Sequence, residues 1–131
     1  MGERATGQFA ITSWEQETYE ETDEGLTLTR ATVRKTLQGD FAGESRAEVL
    51  LAGDRTGGLA YTALERVVGS IGGRAGSFLL LHGAASEDSA TGAPGQIVPG
   101  SGTGDLRGLR GTVLVRHDER GATFTLDYDL A

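Results

Sequence analysis

Two-residue alternation of apolar and polar side chains recurs along nearly the whole chain, and it leaves little room for anything but β-sheet. In ATFTLDYDL, Ala122, Phe124, Leu126, Tyr128 and Leu130 fall on one side and Thr123, Thr125, Asp127 and Asp129 on the other. That is the pattern of an antiparallel strand with one face buried and one in water. RGTVLVRH, Arg110 to His117, is a second such run, joined to the first by the polar turn DERG. GQFAITSW sets Phe9, Ile11 and Ser13 against Ala10, Thr12 and Trp14. In LTLTRATVRKTL the apolar parity changes from Leu26 and Leu28 to Ala31, Val33 and Leu37, so a β-bulge is expected near Thr29–Arg30. SRAEVLLA and GSFLLLHGA complete the set. The second is apolar at every position from Phe78 to Leu81, and is expected to be covered on both faces.

YTALERVVGSI admits two readings. Leu64, Val67, Val68 and Ile71 stand at helical spacing, but the β-branched pair and the following Gly72-Gly73 favour a strand. Glycine numbers 21 against two prolines, which suits many turns between short strands. Seven or eight strands with no firm helix point to an antiparallel barrel or sandwich, one domain over residues 1–131.

The densest glycine lies in VPGSGTGDLRGLRG, Val98 to Gly111. A dinucleotide fingerprint needs G-x-G-x-x-G at the start of a helix, whereas Gly100, Gly102 and Gly104 give G-x-G-x-G between strands. A P-loop needs a lysine after its last glycine, and Lys35 is the only lysine in the chain. The stretch is therefore read as a tight crossing between two strands that uses glycine's backbone freedom. A net charge of −7 with scattered arginines excludes a phosphate-backbone partner such as nucleic acid. The absence of cysteine removes disulfide and thiolate chemistry, and no H-x-H or H-E-x-x-H spacing suggests a metal. No apolar leader or membrane-length window stands out, so a cytoplasmic protein off the membrane is expected, as a homo-oligomer. The acidic EQETYEETDEG is expected to be a solvated loop, long enough to act as a lid that carries Tyr19.

GSGTGDLRGLRG resembles the G-G-T-G-x-F-x-x-A-R-G signature of dirigent proteins and the related motif of allene oxide cyclases, through Gly102, Thr103, Gly104, Leu106, Arg110 and Gly111. Ser101, Leu106 and Leu109 depart from that signature. FAITSWEQETY, LERVVGSIGGRAGSFLLLH, VPGSGTGDLRGLRG and TLDYDL together resemble successive blocks of a bacterial family of unknown function. The resemblance implies an all-β, eight-stranded antiparallel β-barrel, allene oxide cyclase-like and calycin-like, with the glycine loop just before the penultimate strand. It also implies an apolar small molecule inside the barrel and no cofactor.

Side chains narrow the chemistry further. If Gly72-Gly73 is a two-residue hairpin loop, Ile71 faces Arg74, Glu65 faces Leu80 and Ala63 faces His82. Glu65 and His82 then share one sheet face as diagonal neighbours, with Tyr61 beside them. A carboxylate, an imidazole and a phenol in apolar surroundings are candidate acid/base groups, or else a polar tie between two strands. Trp14, Phe78, Gln96 and Tyr128 are candidate ligand contacts, and His117 is read as a surface residue. Two functions follow: a barrel that binds an apolar ligand, or a cofactor-free cyclase or isomerase acting on a small apolar or polyketide-like substrate.

Overall fold

The computed structural model describes residues 2–85, 92–118 and 121–130. The seven segments read from the sequence all form strands, and Ala93–Ile97, not singled out there, adds an eighth: β1 (Glu3–Glu21), β2 (Thr27–Gly39), β3 (Phe41–Asp54), β4 (Gly57–Ile71), β5 (Arg74–Ala84), β6 (Ala93–Ile97), β7 (Leu109–Asp118) and β8 (Gly121–Leu130). Each pairs antiparallel with its neighbour in sequence, and β1 pairs with β8 from Glu3↔Tyr128 to Gln8↔Thr123. The eight strands thus make a closed ring of sheet with its apolar faces turned inward. The segment with two readings is strand throughout, as β4. β7 and β8 pair up to Asp118↔Gly121; Glu119 and Arg120 of the DERG turn lie outside the described residues. Among the described residues no helix is long and apolar enough to cross a membrane.

Inside the ring Phe41, Phe78, Leu80, Ile97, Leu106, Phe124 and Leu126 are buried and in one cluster. A second cluster on β2, β3 and β4 is built of smaller residues, Ala31, Val33, Ala47, Val49 and Ala63.

Three expectations are corrected. The β2–β3 register is unbroken from Thr27↔Gly53 to Leu37↔Gly43, so no bulge lies at Thr29–Arg30. Thr29 itself is buried, its hydroxyl 3.5 Å from that of Thr18, and a polar residue in an inward place mimicked a slip of parity. The register shifts lie in β1 instead, between Ile11 and Ser13 and between Thr18 and Glu20. The first of them turns Trp14 to the same face as Phe9, opposite Val33. Most of the acidic run is also not loop, since β1 extends to Glu21, and Tyr19 is the residue skipped at the second shift. Finally, GSFLLLHGA is covered on both faces only near its start, where Ser77 and Phe78 are both buried. Leu81 is 44% exposed and lies on the outer surface with Leu50, Leu64 and Val68.

The glycine-rich stretch straps itself along β5. Val98 N–H donates to the Leu79 carbonyl, and Thr103 N–H to that of Ser77. Ser101 Oγ accepts from Leu79 N–H at 3.0 Å, and Thr103 Oγ1 from Ser77 N–H at 3.0 Å. A 3-10 turn at Gly104–Leu106 then drives Leu106 into the core at 0% exposure. The close approach is what the glycines permit: a Cβ on Gly76 would stand 2.0 Å from the Thr103 carbonyl oxygen. No side chain fits there.

Candidate functional site

The β4–β5 hairpin turns at Gly72 (φ 57°) and Gly73 (φ 86°), two left-handed residues in succession. This is the two-residue loop whose twist matches the strands it joins. It sets Ile71↔Arg74, Glu65↔Leu80, Ala63↔His82 and Tyr61↔Ala84. Glu65 and His82 therefore face inward together, 0% and 5% exposed.

The two side chains meet: His82 Nε2 lies 2.8 Å from Glu65 Oε1. On the other side of the ring, His82 Nδ1 lies 2.9 Å from Tyr61 Oη. Two further groups converge from β2 and β3. Lys35 Nζ donates to Glu65 Oε1 at 3.2 Å and Ser45 Oγ to Glu65 Oε2 at 2.5 Å. A line of hydrogen bonds thus runs from Lys35 and Ser45 through Glu65 and His82 to Tyr61. Aromatic faces enclose its charged end, with Lys35 Nζ 4.4 Å from the Phe9 ring centroid and 5.0 Å from that of Phe124. Such faces attract a cation by their quadrupole and exclude water at the same time. The His82 ring stands edge-on to Phe124, centroids 6.5 Å apart.

Burial pushes the Glu65 carboxyl up. The hydrogen bond from His82, the positive charge of Lys35 and the hydrogen bond from Ser45 outweigh it and hold the group below its ordinary range. Glu65 is therefore an ionised carboxylate inside the ring. The Tyr61 phenol is pushed up to about 12, by burial first and by the negative charge of Glu65 second. It stays protonated at neutral pH.

Tyr61 is also where this cluster meets open space. A cavity of about 620 Å³ lies beside the β3–β4 turn and is lined by Tyr61, Leu51, Ala93, Val115, Gln16 and His117 among others. Its size is that of pockets that take small organic molecules. Neither Glu65 nor His82 lines it. Of the three acid/base candidates, only Tyr61 lines the cavity.

The proposed ligand contacts fare differently. Gln96 lies on the outer face of β6, exposed and opposite Leu81 and Thr112, which are exposed too; inward parity on that strand belongs to Ile97. Tyr128 packs inside the ring but at its other end, beside Glu3 and Gly111, whereas the cavity borders Val115 and His117. Phe78 is core, 2% exposed opposite Val67. Trp14 is 46% exposed and donates from Nε1 to Gln16 Oε1 at 2.7 Å, so it borders the cavity only through Gln16. His117 is exposed as expected, yet it stands at the cavity.

Lys35 and Ser45 escaped the sequence reading, although a signal existed. Lys35 has the inward parity of Ala31, Val33 and Leu37, and Ser45 that of Ala47 and Val49. Among the described residues no group of three or more His, Cys, Asp or Glu is placed to hold a metal.

The model of a family described as "Protein of unknown function (DUF3224)" matches residues 5–130. Among solved structures, the chain is similar to a protein of unknown function of that family from Shewanella oneidensis MR-1. The identity is 29% and the TM-score 0.86, over 100% of this chain and 99% of that chain. No curated protein matches.

Proposed function

This chain belongs to the DUF3224 family, whose function is unknown, and we propose that it binds a small, largely apolar molecule in the cavity beside the β3–β4 turn. The observation that carries this reading is the cavity itself, about 620 Å³, with Leu51, Ala93 and Val115 in its wall beside Tyr61 and a few polar residues such as Gln16 and Thr29. The ring is read with it as an allene oxide cyclase-like, calycin-like barrel. The support is eight strands in sequential order closed by β1 and β8, and a glycine-rich strap just before the penultimate strand. Members of that class keep their ligands inside the barrel.

The test is direct. Native mass spectrometry of the protein as purified should show a retained small molecule, or the apoprotein should take up 2-methoxynaphthalene by tryptophan-quenching titration. Val115→Trp should fill the cavity and abolish uptake while the circular dichroism stays that of the parent. Absence of both retention and uptake would remove the proposal. A second reading, a cofactor-free isomerase or cyclase, is favoured by one observation. The hydrogen-bonded line from Glu65 through His82 ends on the single polar group of the three that reaches the cavity.

A further inference from the structure

The direction of the hydrogen bonds in that line can be worked out from chemistry alone. Glu65 is ionised and can only accept, so His82 Nε2, 2.8 Å from Oε1, must carry a proton. Lys35 already balances the charge of Glu65 at 3.2 Å. A second positive charge on His82 would leave a buried cluster with net charge, which a low-dielectric interior disfavours. Serine adds none, and the rings of Phe9 and Phe124 face Lys35. Charge balance thus favours the imidazole with one proton, on Nε2, and a lone pair on Nδ1. Tyr61 must then donate its hydroxyl proton to Nδ1 across the 2.9 Å contact. With its only proton engaged by His82, the phenol oxygen has only lone pairs to offer an occupant of the cavity that Tyr61 lines.

We propose that the cavity selects a molecule bearing a hydroxyl group, a phenol or an enol, which donates to Tyr61 Oη, and that Tyr61 passes protons between that hydroxyl and His82. The proposal rests on the binding reading above and names the ligand class for the same site. The transfer balances without any co-reactant. The O–H bond of the ligand breaks and its proton goes to Tyr61 Oη, while the phenol proton of Tyr61 goes to His82 Nδ1. What results is a ligand oxyanion and an imidazolium whose charge faces Glu65; the reverse step restores the start. Tyr61 is the group that touches the ligand. His82, Glu65, Ser45 and Lys35 are positioning residues that set the direction of its proton. An acid-forming hydroxyl on an otherwise apolar body, beside a ready proton acceptor, is the chemistry of keto–enol exchange.

Two probes of matched shape separate this inference from the binding reading. 2-Naphthol and 2-methoxynaphthalene share their ring system, and only the first can donate. The parent should favour 2-naphthol over the ether by between about two- and tenfold, the value of one hydrogen bond, and Tyr61→Phe should erase that preference. Fluorescence adds a readout of proton transfer: 2-naphthol bound to the parent should emit as the naphtholate, and bound to Tyr61→Phe as the neutral form. Nitrogen-15 NMR of the unliganded parent should show the His82 proton on Nε2. If both probes bind with the same ratio in parent and variant, the inference falls and the binding reading stands. A His82 proton found on Nδ1 overturns it as well. If neither probe binds the parent, the inference falls, and the binding reading falls with it when native mass spectrometry also shows no retained molecule.

Discussion

Glu65 holds three partners at once, and this makes its substitution a structural event whatever the cavity does. Glu65→Gln leaves Lys35 buried against Phe9 and Phe124 without its counter-charge, and is expected to cost about 3–5 kcal/mol. Lys35→Met should cost a similar amount for the converse reason. The double substitution should be far less damaging than the sum, since no lone charge remains; urea denaturation of the four proteins would show the coupling. Tyr61→Phe is the cleaner probe of function, because it keeps the ring and removes only the hydroxyl.

The same groups set the pH limits of the fold. Glu65 is held below its ordinary pKa of 4.5, so its contribution is present above that value and is lost as the pH falls through the depressed one. Tyr61 is raised from 10.0 to about 12. The unfolded chain gives up that proton first, so stability is full below pH 10 and declines between pH 10 and 12. Denaturation midpoints should fall more steeply over that interval in the parent than in Tyr61→Phe. Equal slopes would contradict the burial of the phenol.

At the scale of elements, the β4–β5 turn controls the site. Both Gly72 and Gly73 have positive φ, and a Cβ at either would meet nothing within 4 Å. The cost of a side chain there is backbone strain alone. Gly73→Val is expected to destabilise by about 1–2 kcal/mol. Gly72→Asn should stay within about 0.5 kcal/mol, because asparagine tolerates the left-handed region and suits this turn. Equal losses at the two positions in thermal or urea unfolding would show that the turn is of another kind. Register in this hairpin followed from turn length, and so the meeting of Glu65 with His82 was legible in the sequence. Trp14 was not, because a register shift between Ile11 and Ser13 reverses its face. Bulges obey no parity in a single strand; they appear only against the partner's hydrogen bonds.

For the whole molecule, closure is the decisive step. β8 pairs with both β1 and β7 and brings Phe124 and Leu126, each 0% exposed, into the common core. A chain ending before Gly121 is expected not to fold: it would expose two strand edges and lose the ring against which Phe9, Phe41 and His82 pack. Loss of the dispersed amide spectrum in that truncation is the predicted result, and a well-dispersed spectrum would show that the remaining strands stand alone.

Local chemistry in the sequence determined every strand but β6, most turns, much of the inward parity of the core and the contact of Glu65 with His82. All of these depend on residues close along the chain, through the two-residue period of a strand and the φ angles of glycine. Only the closed ring decided the rest. Lys35 and Ser45 reach Glu65 because two hairpin registers act together. The cavity brings together residues far apart in sequence, among them Gln16, Leu51, Tyr61, Ala93 and Val115. Gln96 faces solvent because Leu81 and Thr112, its partners on either side, do so as well. Each of these outcomes is set by side chains distant in sequence that share one small interior, where volume and charge must balance across the whole ring.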